Sequence, residues 1–197
     1  MAKIKCGKNR IILVVGLVLL LLALIFDLQI YAFIQTLKNP VLDTIFSWLL
    51  FFEGDLIFYP FVIALTGAII ITKNKKLILP YIISLCAIGI VVFALKFGVG
   101  RYRPNMMSNH SFPSGHAALL FSSIPFFKNK TLQRIWLIVS CVLVFIRLYF
   151  GLHYLGDVIA GALIGYFVPL IVLKISMRLA QKQQKNEKKS KKYRRRK

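Results

Sequence analysis

Six apolar runs, separated by short clusters of charge, constrain this chain more than any other feature. They cover residues 11–33, 56–72, 77–97, 114–128, 134–150 and 156–175. A helix that crosses a bilayer needs roughly 20 mostly apolar residues, and its backbone polar groups must be paired within the segment. The runs therefore predict an all-α fold, a polytopic membrane helical bundle with six transmembrane helices.

The fourth run is the shortest, with about 15 residues from Ser114 to Lys128, and its length alone also fits a re-entrant segment. Its crossing is inferred from charge, because Lys and Arg concentrate in cytoplasmic loops. Assigning both termini, 73–76 and 128–134 to the cytoplasm places 22 of the 27 basic residues there. The same topology gathers all three histidines and five of the six acidic residues at the outer face. It predicts an active site facing the periplasm or cell exterior of a multi-pass cell-membrane protein.

The segments outside these runs have different expected roles. The apolar run after the N-terminal lysines lacks a small-x-small cleavage site and is taken as an uncleaved first span. Residues 37–55 alternate apolar and polar positions, which predicts an interfacial amphipathic segment anchored by Trp48. Residues 1–180 thus form the membrane domain, and 181–197 form a basic cytoplasmic tail, either disordered or an extension of the last helix.

The net charge of +21 is explained by these clusters rather than by a basic groove, so no nucleic-acid partner is expected. Anionic lipid headgroups are the expected partner of the tail, favoured over RNA or a partner protein. The three cysteines are odd in number, and Cys86 and Cys141 lie inside apolar runs. They indicate no disulfide or metal framework, and we expect them to be buried.

The first of three clusters with chemical potential is Lys96, six intervening residues, then Arg103 and Pro104. Gly98 and Gly100 weaken the helix at this point and Pro104 stops it. The two cations can therefore converge on one site from a helix end and a loop. The alternative is a pair of interfacial cations that extend to the headgroup region.

The second cluster is the tetrapeptide Pro113-Ser114-Gly115-His116, which precedes an apolar run. Proline ends the preceding segment, serine is a good N-cap, and glycine permits a close approach of backbone to a ligand. A helix start presents unpaired N–H groups to anions, and here an imidazole lies beside it. A serine N-cap and an interfacial histidine without function are the alternative.

The third cluster is Arg147, His153 and Asp157, between the last two runs. His153 and Asp157 are four residues apart, so on a helix they would share a face. The carboxylate can accept the imidazole N–H and leave the other nitrogen as nucleophile or base. A pair that only satisfies itself at the membrane surface is the alternative.

Taken together, the clusters supply what phosphoryl transfer requires without a metal: cations, a helix N-terminus and two histidines. Carboxylates are too few for a two-metal phosphatase, and the surrounding Lys and Arg repel zinc. No metal or other cofactor is expected. Binding alone would need the cations but not both imidazoles, which weighs against a transporter or an anionic-lipid scaffold.

The three clusters, written KxxxxxxRP, PSGH and RxxxxxHxxxD, resemble the three-part signature of the type 2 phosphatidic acid phosphatase superfamily of integral-membrane lipid phosphatases. Their order and internal spacings match, from Lys96 to Asp157, and the six-span pattern is similar over nearly the whole chain except the tail. One position departs from the family: Ile146 stands where a serine often precedes the arginine. This removes a possible hydroxyl contact with phosphate and bears on substrate preference.

The resemblance implies roles for each matching residue. His153 is the nucleophile that forms a phosphohistidine, Asp157 orients it, and His116 protonates the leaving oxygen and then activates water. The phosphate-binding residues are Lys96, Arg103, Ser114, Gly115 and Arg147.

The resemblance also implies a lipid phosphate substrate. Bacterial members of the family favour undecaprenyl pyrophosphate, a cell-wall lipid carrier, or phosphatidylglycerophosphate, with phosphatidic acid next. A lipid phosphotransferase on the same scaffold is a further possibility, and oligomeric state is left open.

Overall fold

The computed structural model describes residues 6–52 and 54–194, and every element within these ranges is helical. The α-helices are α1 (Cys6–Thr36), α2 (Pro40–Phe52), α3 (Asp55–Lys73), α4 (Ile78–Val99), α5 (Gly115–Ser122), α6 (Lys130–Tyr149) and α7 (Leu155–Arg194). Short 3-10 turns, Lys75–Leu77 and Ile124–Phe126, precede α4 and follow α5. The predicted all-α membrane fold is confirmed. Residues 1–5, 53 and 195–197, which include Glu53 of the acidic set and the end of the basic tail, lie outside the described residues.

Within the described residues, five helices are long and apolar enough to cross a membrane: Gly7–Thr36, Leu56–Lys73, Lys75–Val99, Lys130–Tyr149 and Leu155–Glu187. Each corresponds to one of the predicted runs. Large apolar side chains such as Ile25, Phe61 and Ile90 are more than 60% exposed on their outer surfaces. Apolar side chains of this kind are stable at a surface that lipid covers.

The fourth run forms a shorter element than a full span. α5 has eight residues and is continued by the 3-10 turn that ends at Phe126. The segment runs antiparallel to α6, with the Trp136 indole N–H donating to the Leu120 carbonyl at 2.8 Å and the Gln133 amide donating to the Phe127 carbonyl at 2.6 Å. It is buried between other helices. Non-helical backbone is tolerated at membrane depth where protein buries it. The short helix and its 3-10 turn can therefore lie inside the bundle, packed along α6.

Two glycines of α7 allow α5 to pack directly on the α7 backbone. A Cβ atom at Gly161 or Gly165 would overlap the carbonyl oxygens of Ser114 or Ala118, respectively. Small residues four apart permit this kind of close helix packing in membranes. The contact fixes the start of α5 against the start of α7, where two of the predicted clusters lie.

The helix ends near the clusters form as expected. α4 ends at Val99 and is capped by Gly100, whose φ of 59° is left-handed and whose N–H donates to the Lys96 carbonyl at 3.1 Å. Ser114 is the N-cap of α5, and its hydroxyl accepts a hydrogen bond from the Ala117 N–H. A loop of residues 101–113 therefore connects α4 with α5 and carries the end of the first cluster to the start of the second.

Three features outside this region differ in how they compare with expectation. The segment 37–55 contains the helix α2, on which Trp48 is 67% exposed. α7 continues through the basic tail to Arg194, in line with the alternative of a helical extension, while the division at residue 180 stays a prediction. The expected burial of Cys86 and Cys141 is wrong, since both are free thiols on exposed surfaces. In a membrane protein the outer helix surface is itself apolar, so an apolar run does not distinguish core from lipid-facing positions.

Candidate active site

The three predicted clusters meet at one end of the bundle, where α4 and α6 end and α5 and α7 begin. The Ser114 N–H donates to the backbone carbonyl of Asp157 at 2.9 Å, which joins the second cluster to the third. Arg147 Nη2 donates to His116 Nε2 at 2.5 Å, a second link between the same clusters. The loop that carries Arg103 joins them as well, because its Asn105 N–H donates to the Gly151 carbonyl at 3.0 Å and its Arg101 Nη1 donates to Asp157 Oδ1 at 2.9 Å.

His153 lies in the turn between α6 and α7, and its Nδ1 is directed to the Asp157 carboxylate. The two residues do not share a helix, because α7 begins at Leu155. The Nδ1 to Oδ2 distance is 3.7 Å, and the Ser111 hydroxyl lies 3.5 Å from the same nitrogen. The arrangement orients the ring so that Nε2 is the nitrogen available for attack.

Burial keeps His153 uncharged. The residue is 3% exposed, and desolvation lowers its pKa below the usual value. Lys96 and Arg103 lower the pKa further by charge repulsion, whereas Asp157 acts in the opposite direction. An imidazole with a lowered pKa retains its lone pair at neutral pH, as a nucleophile must.

Asp157 is fully buried and its carboxylate is held from several sides. The Ser111 hydroxyl donates to Oδ2 at 2.5 Å, and the Tyr154 N–H donates to the same oxygen at 2.8 Å. Oδ1 accepts from Arg101 Nη1 at 2.9 Å. The carboxylate that faces His153 is therefore fixed in position by contacts that do not involve the histidine.

His116 has a different environment from His153. Its ring stacks on Phe58 with centroids 4.7 Å apart, and its Nδ1 lies 3.4 Å from the Tyr59 hydroxyl. Because a guanidinium only donates hydrogen bonds, the contact with Arg147 makes Nε2 the acceptor and assigns the proton to Nδ1. His116 thus presents a basic nitrogen to the Arg147 guanidinium.

The remaining phosphate-binding candidates are Lys96, Arg103 and Gly115. The Lys96 ammonium donates to the His110 carbonyl at 2.5 Å. Arg103 Nε is buried and has no hydrogen-bond partner in the described part of the chain. Gly115 approaches α3 so closely that a Cβ atom would lie 2.6 Å from the Tyr59 hydroxyl. Unpaired buried donors are costly, and an anion at this position would satisfy the Arg103 donor.

Several residues at the site were not assigned by sequence reasoning. Asp27 and Arg101 form an ion pair at 2.9 Å, and Tyr59 and Ser111 contact the two histidines as described above. Asp27 carried a usable signal, because an acidic residue inside an otherwise apolar span is costly unless it is paired or functional. Tyr59 and Ser111 carried none, since both residue types are ordinary at helix ends and in loops.

Two further features lie apart from the histidines. Ile146, the departure from the family pattern, is fully buried in the core. An apolar cavity of about 540 Å³ opens between α1, α5, α6 and α7, and none of the predicted site residues lines it. The polar site and this apolar cavity are therefore distinct.

This geometry has a defined chemical capacity. An uncharged imidazole stands beside a fixed carboxylate, a second imidazole contacts an arginine, and further cations face the same region. Such a constellation has the groups needed to bind a phosphate and transfer it, and it lies in a bundle of membrane-spanning helices. The fold and the site together define an integral-membrane lipid phosphatase.

The chain belongs to the PAP2 superfamily, whose family model matches residues 77–181. It is 29% identical over 169 residues to lipid A 4'-phosphatase of Bacteroides thetaiotaomicron, covering 72% of each chain. It is 30% identical over 114 residues to the bacitracin transport permease protein BcrC of Bacillus licheniformis, covering 51% of this chain and 56% of the relative. The predicted family membership is confirmed.

Two crystal structures share the fold. Aquifex aeolicus LpxE superposes with a TM-score of 0.63 and 24% identity, over 76% of this chain and 95% of that one. A transmembrane PAP2 type phosphatidylglycerolphosphate phosphatase from Bacillus subtilis superposes with a TM-score of 0.62 and 19% identity, over 84% and 96%. The membrane-bundle architecture is thus common to this chain and solved PAP2 proteins.

Proposed function

We propose that this enzyme hydrolyses a membrane lipid phosphate or pyrophosphate without a metal ion, through a phosphohistidine formed on His153. The observation that carries the proposal is the position of His153: it is buried, its pKa is lowered, and its Nδ1 faces the fixed carboxylate of Asp157. A ring held in this way has its lone pair on Nε2. Nucleophilic attack by a neutral imidazole requires this tautomer.

The reaction proceeds in two displacements. Nε2 of His153 attacks phosphorus, the P–O bond to the lipid breaks, and protonated His116 gives its proton to the leaving oxygen. His116 then takes a proton from water, the resulting hydroxide attacks phosphorus, and the P–N bond breaks with its electron pair returning to His153. The products are inorganic phosphate and the lipid alcohol, or a lipid monophosphate when the substrate is a pyrophosphate.

Arg147 couples binding to the protonation of His116. Its guanidinium donates to His116 Nε2 at 2.5 Å. A bound phosphate competes for the guanidinium and leaves Nε2 able to take the proton that it later donates. Lys96, Arg103, Ser114 and the Gly115 N–H hold the other phosphate oxygens and stabilise the charge that develops in the transition state.

The cation-rich donor set supports chemistry without a metal. Lys96 and Arg103 act electrostatically on His153, and the Asp157 carboxylate is already paired with Arg101. A divalent cation would have to displace these cations or share their space. The positive charge that a metal supplies in other phosphatases is supplied here by side chains.

Undecaprenyl pyrophosphate and phosphatidylglycerophosphate are the favoured substrates, and phosphatidic acid is a further candidate. A lipid A type phosphomonoester joins them, because a curated lipid A 4'-phosphatase aligns over 72% of this chain. We place the active site at the outer membrane face and both termini in the cytoplasm, on the basis of the charge distribution. Anionic headgroups are the proposed partner of the basic tail.

The test is phosphate release from these four lipids in detergent with EDTA present. The wild type is compared with His153→Ala and with the matched histidine control His110→Ala, whose backbone carbonyl still holds Lys96. We expect release that survives EDTA, disappears in His153→Ala and persists in the control. A radiolabelled substrate should leave an acid-labile, alkali-stable label on the wild type and on His110→Ala, and none on His153→Ala.

Other outcomes would contradict the proposal in distinguishable ways. Loss of release on chelation would indicate metal-dependent hydrolysis. A labelled enzyme that yields no free phosphate until a lipid or glycan acceptor is added would indicate a phosphotransferase. Binding of all four lipids with neither release nor labelling would indicate an anionic-lipid scaffold.

A further inference from the structure

Arg101 bridges two buried carboxylates that belong to different helices. Its Nη1 donates to Asp157 Oδ1 and its Nη2 donates to Asp27 Oδ2, each at 2.9 Å. The guanidinium also lies over the Tyr154 ring, with Cζ 4.3 Å from the centroid. Asp157 and Asp27 are 0% and 2% exposed. A planar guanidinium held by two carboxylates and an aromatic face has little freedom to rotate.

Asp27 uses its second oxygen to hold the start of α7. Its Oδ1 accepts the Gly156 N–H at 2.9 Å, one residue before Asp157. A Cβ atom on Gly156 would lie 2.8 Å from Asp27 Oδ2, so a larger residue here would displace the Asp27 carboxylate. Asp27 of α1 therefore binds both Arg101 and the backbone next to Asp157, although α1 contributes none of the residues of the three clusters.

We propose that Arg101 is a positioning residue that holds Asp157 for His153, and that Asp27 of α1 holds Arg101 in place. This inference rests on the proposed function of His153. It adds Arg101 and Asp27 to the pair formed by His153 and Asp157. The chain of contacts runs from Asp27 through Arg101 to Asp157 and then to the imidazole. Neither Asp27 nor Arg101 touches the reacting atoms.

The division of the Asp157 oxygens explains why such a residue is needed. Oδ1 is taken up by Arg101, which leaves Oδ2 to the Ser111 hydroxyl, the Tyr154 N–H and His153. The His153 contact is the longest of these, at 3.7 Å. Without Arg101 the Asp157 carboxylate would be a buried anion that has lost its ion pair with a guanidinium. It would then draw a proton onto His153, and a protonated imidazole is not a nucleophile.

Arg101 thus has two effects that an experiment can separate from a purely structural one. It fixes the orientation of Asp157, which affects turnover, and it offsets the negative charge of Asp157, which affects the protonation of His153. The charged groups that act on His153 are Asp157, which raises the pKa, and Lys96 and Arg103, which lower it. Removing Arg101 leaves Lys96 and Arg103 in place. It strengthens only the effect of Asp157, so the pKa of His153 should rise.

The test compares purified Arg101→Gln, Arg101→Lys and Asp27→Asn with the wild type and with Lys38→Gln. Lys38 is a matched control, because it is an exposed cation near the same end of the bundle, with its ammonium 5.8 Å from the centroid of the Tyr149 ring. The readouts are kcat, KM, the acid limb of kcat/KM and the melting temperature, measured with whichever of the four lipids the wild type hydrolyses fastest.

We expect kcat of Arg101→Gln to fall about 10- to 100-fold, with KM nearly unchanged. A loss of this size is typical when a residue that orients a ligand of a metal site is removed, and Arg101 orients Asp157 in a comparable way. The acid limb of kcat/KM should move to higher pH. Arg101→Lys should recover part of kcat and return the acid limb toward the wild-type position, because lysine restores the charge but not the two-pronged geometry. Lys38→Gln should match the wild type.

Asp27→Asn tests the other half of the proposal and remains useful if Arg101→Gln does not fold. Its amide can still accept the Gly156 N–H, so the helix contact is retained while the ion pair is lost. We expect a fall in kcat with KM unchanged. In the double variant Arg101→Lys/Asp27→Asn the two losses should not add, because Asp27 acts through Arg101.

Specific results would overturn the inference. Wild-type kcat and pH profile in folded Arg101→Gln, with His153→Ala inactive, would remove Arg101 from the mechanism while leaving the proposed function intact. A raised KM at constant kcat would make Arg101 a substrate-binding residue instead. Losses of kcat that are equal in the Arg101 and Asp27 variants and add in the double variant would show a structural role only, if the melting temperature also falls and the acid limb of kcat/KM does not move. Hydrolysis that persists in His153→Ala would instead contradict the proposed function.

Discussion

At the residue scale, the two histidines show how neighbours assign different chemistry to the same side chain. His153 is oriented by a buried carboxylate through Nδ1. His116 is enclosed by Phe58, Tyr59 and Arg147, and its Nε2 accepts a hydrogen bond from a guanidinium. The first environment favours a nucleophile and the second a group that exchanges a proton when phosphate binds.

The first prediction concerns the protonation of His153. Burial lowers its pKa, so the imidazole should stay uncharged down to a pH below its usual value of 6.5. Activity that depends on the neutral ring should then fall only as the pH drops through this lowered pKa. The measurement is a histidine NMR titration in detergent, with the His153 signal assigned by its absence in His153→Ala. A midpoint above 6.5 would contradict the prediction.

The second prediction concerns the contact between Tyr59 and the start of α5. Tyr59→Phe removes the hydroxyl 3.4 Å from His116 Nδ1 and should lower kcat by about 3- to 10-fold, the usual worth of one hydrogen bond. Gly115→Ala places a Cβ atom 2.6 Å from the same hydroxyl and should lower activity further.

The double variant Gly115→Ala/Tyr59→Phe supplies the control, because the hydroxyl that meets the new methyl group is absent. Its kcat should return to the level of Tyr59→Phe alone. If the double variant is worse than either single one, the loss in Gly115→Ala has another cause, such as a blocked phosphate position.

The residues of the site differ in how far sequence reasoning could reach them. Lys96, Arg103, His116, His153 and Asp157 were identified from spacing, because phosphoryl transfer needs those residue types. Asp27 lies 130 residues from Asp157 in the chain, and no local pattern links the two. A long-range ion pair becomes visible only when α1 is packed against α7.

At the element scale, α5 is the short helix on which the site depends. Its eight residues are too few to span a bilayer, yet it lies at the centre of the bundle and carries Ser114 and His116 at its start. Gly161 and Gly165 of α7 bring the two backbones together and so join the second and third clusters. Sequence reasoning placed the start of this helix correctly from its proline and serine, but its short length depends on burial by neighbouring helices.

The third prediction tests this packing. Gly161→Ala places a methyl group against the Ser114 carbonyl, and overpacking of this kind costs about 1–3 kcal/mol. We expect a lower melting temperature in detergent together with a loss of kcat, because the Ser114 backbone is displaced from Asp157.

Gly89→Ala is the matched control on α4, since a Cβ atom there would meet nothing within 4 Å. This variant should be as stable as the wild type or slightly more so, because alanine favours a helix over glycine. Equal behaviour of the two variants would show that the close contact between α5 and α7 is not required.

At the scale of the whole molecule, charge and chemistry are segregated along the bundle axis. The described site residues lie at one end, and the basic turns around Lys73 and Lys128 lie at the other, beside a cavity of about 260 Å³. The distribution of Lys and Arg predicts that the site end faces the periplasm or the cell exterior.

The fourth prediction concerns this orientation. In a background with all three native cysteines replaced by serine, Met107→Cys, at a position 82% exposed in the site loop, should react with a membrane-impermeant maleimide in intact cells. Lys128→Cys, exposed at the opposite end, should react only after the cells are permeabilised. The reverse pattern would invert the topology, and labelling of both in intact cells would indicate a leaky preparation or mixed orientation.

The sequence by itself determined the membrane bundle, the three clusters and the chemical class, because apolar length and the residue types of phosphoryl transfer are local properties of the chain. Only the tertiary structure decided that α5 is short, that Tyr59 contacts His116, and that Arg101 bridges Asp27 and Asp157. These depend on contacts between helices far apart in sequence. In such contacts a single glycine or buried charge decides the geometry. A hydrophobicity pattern does not predict which residues make these contacts.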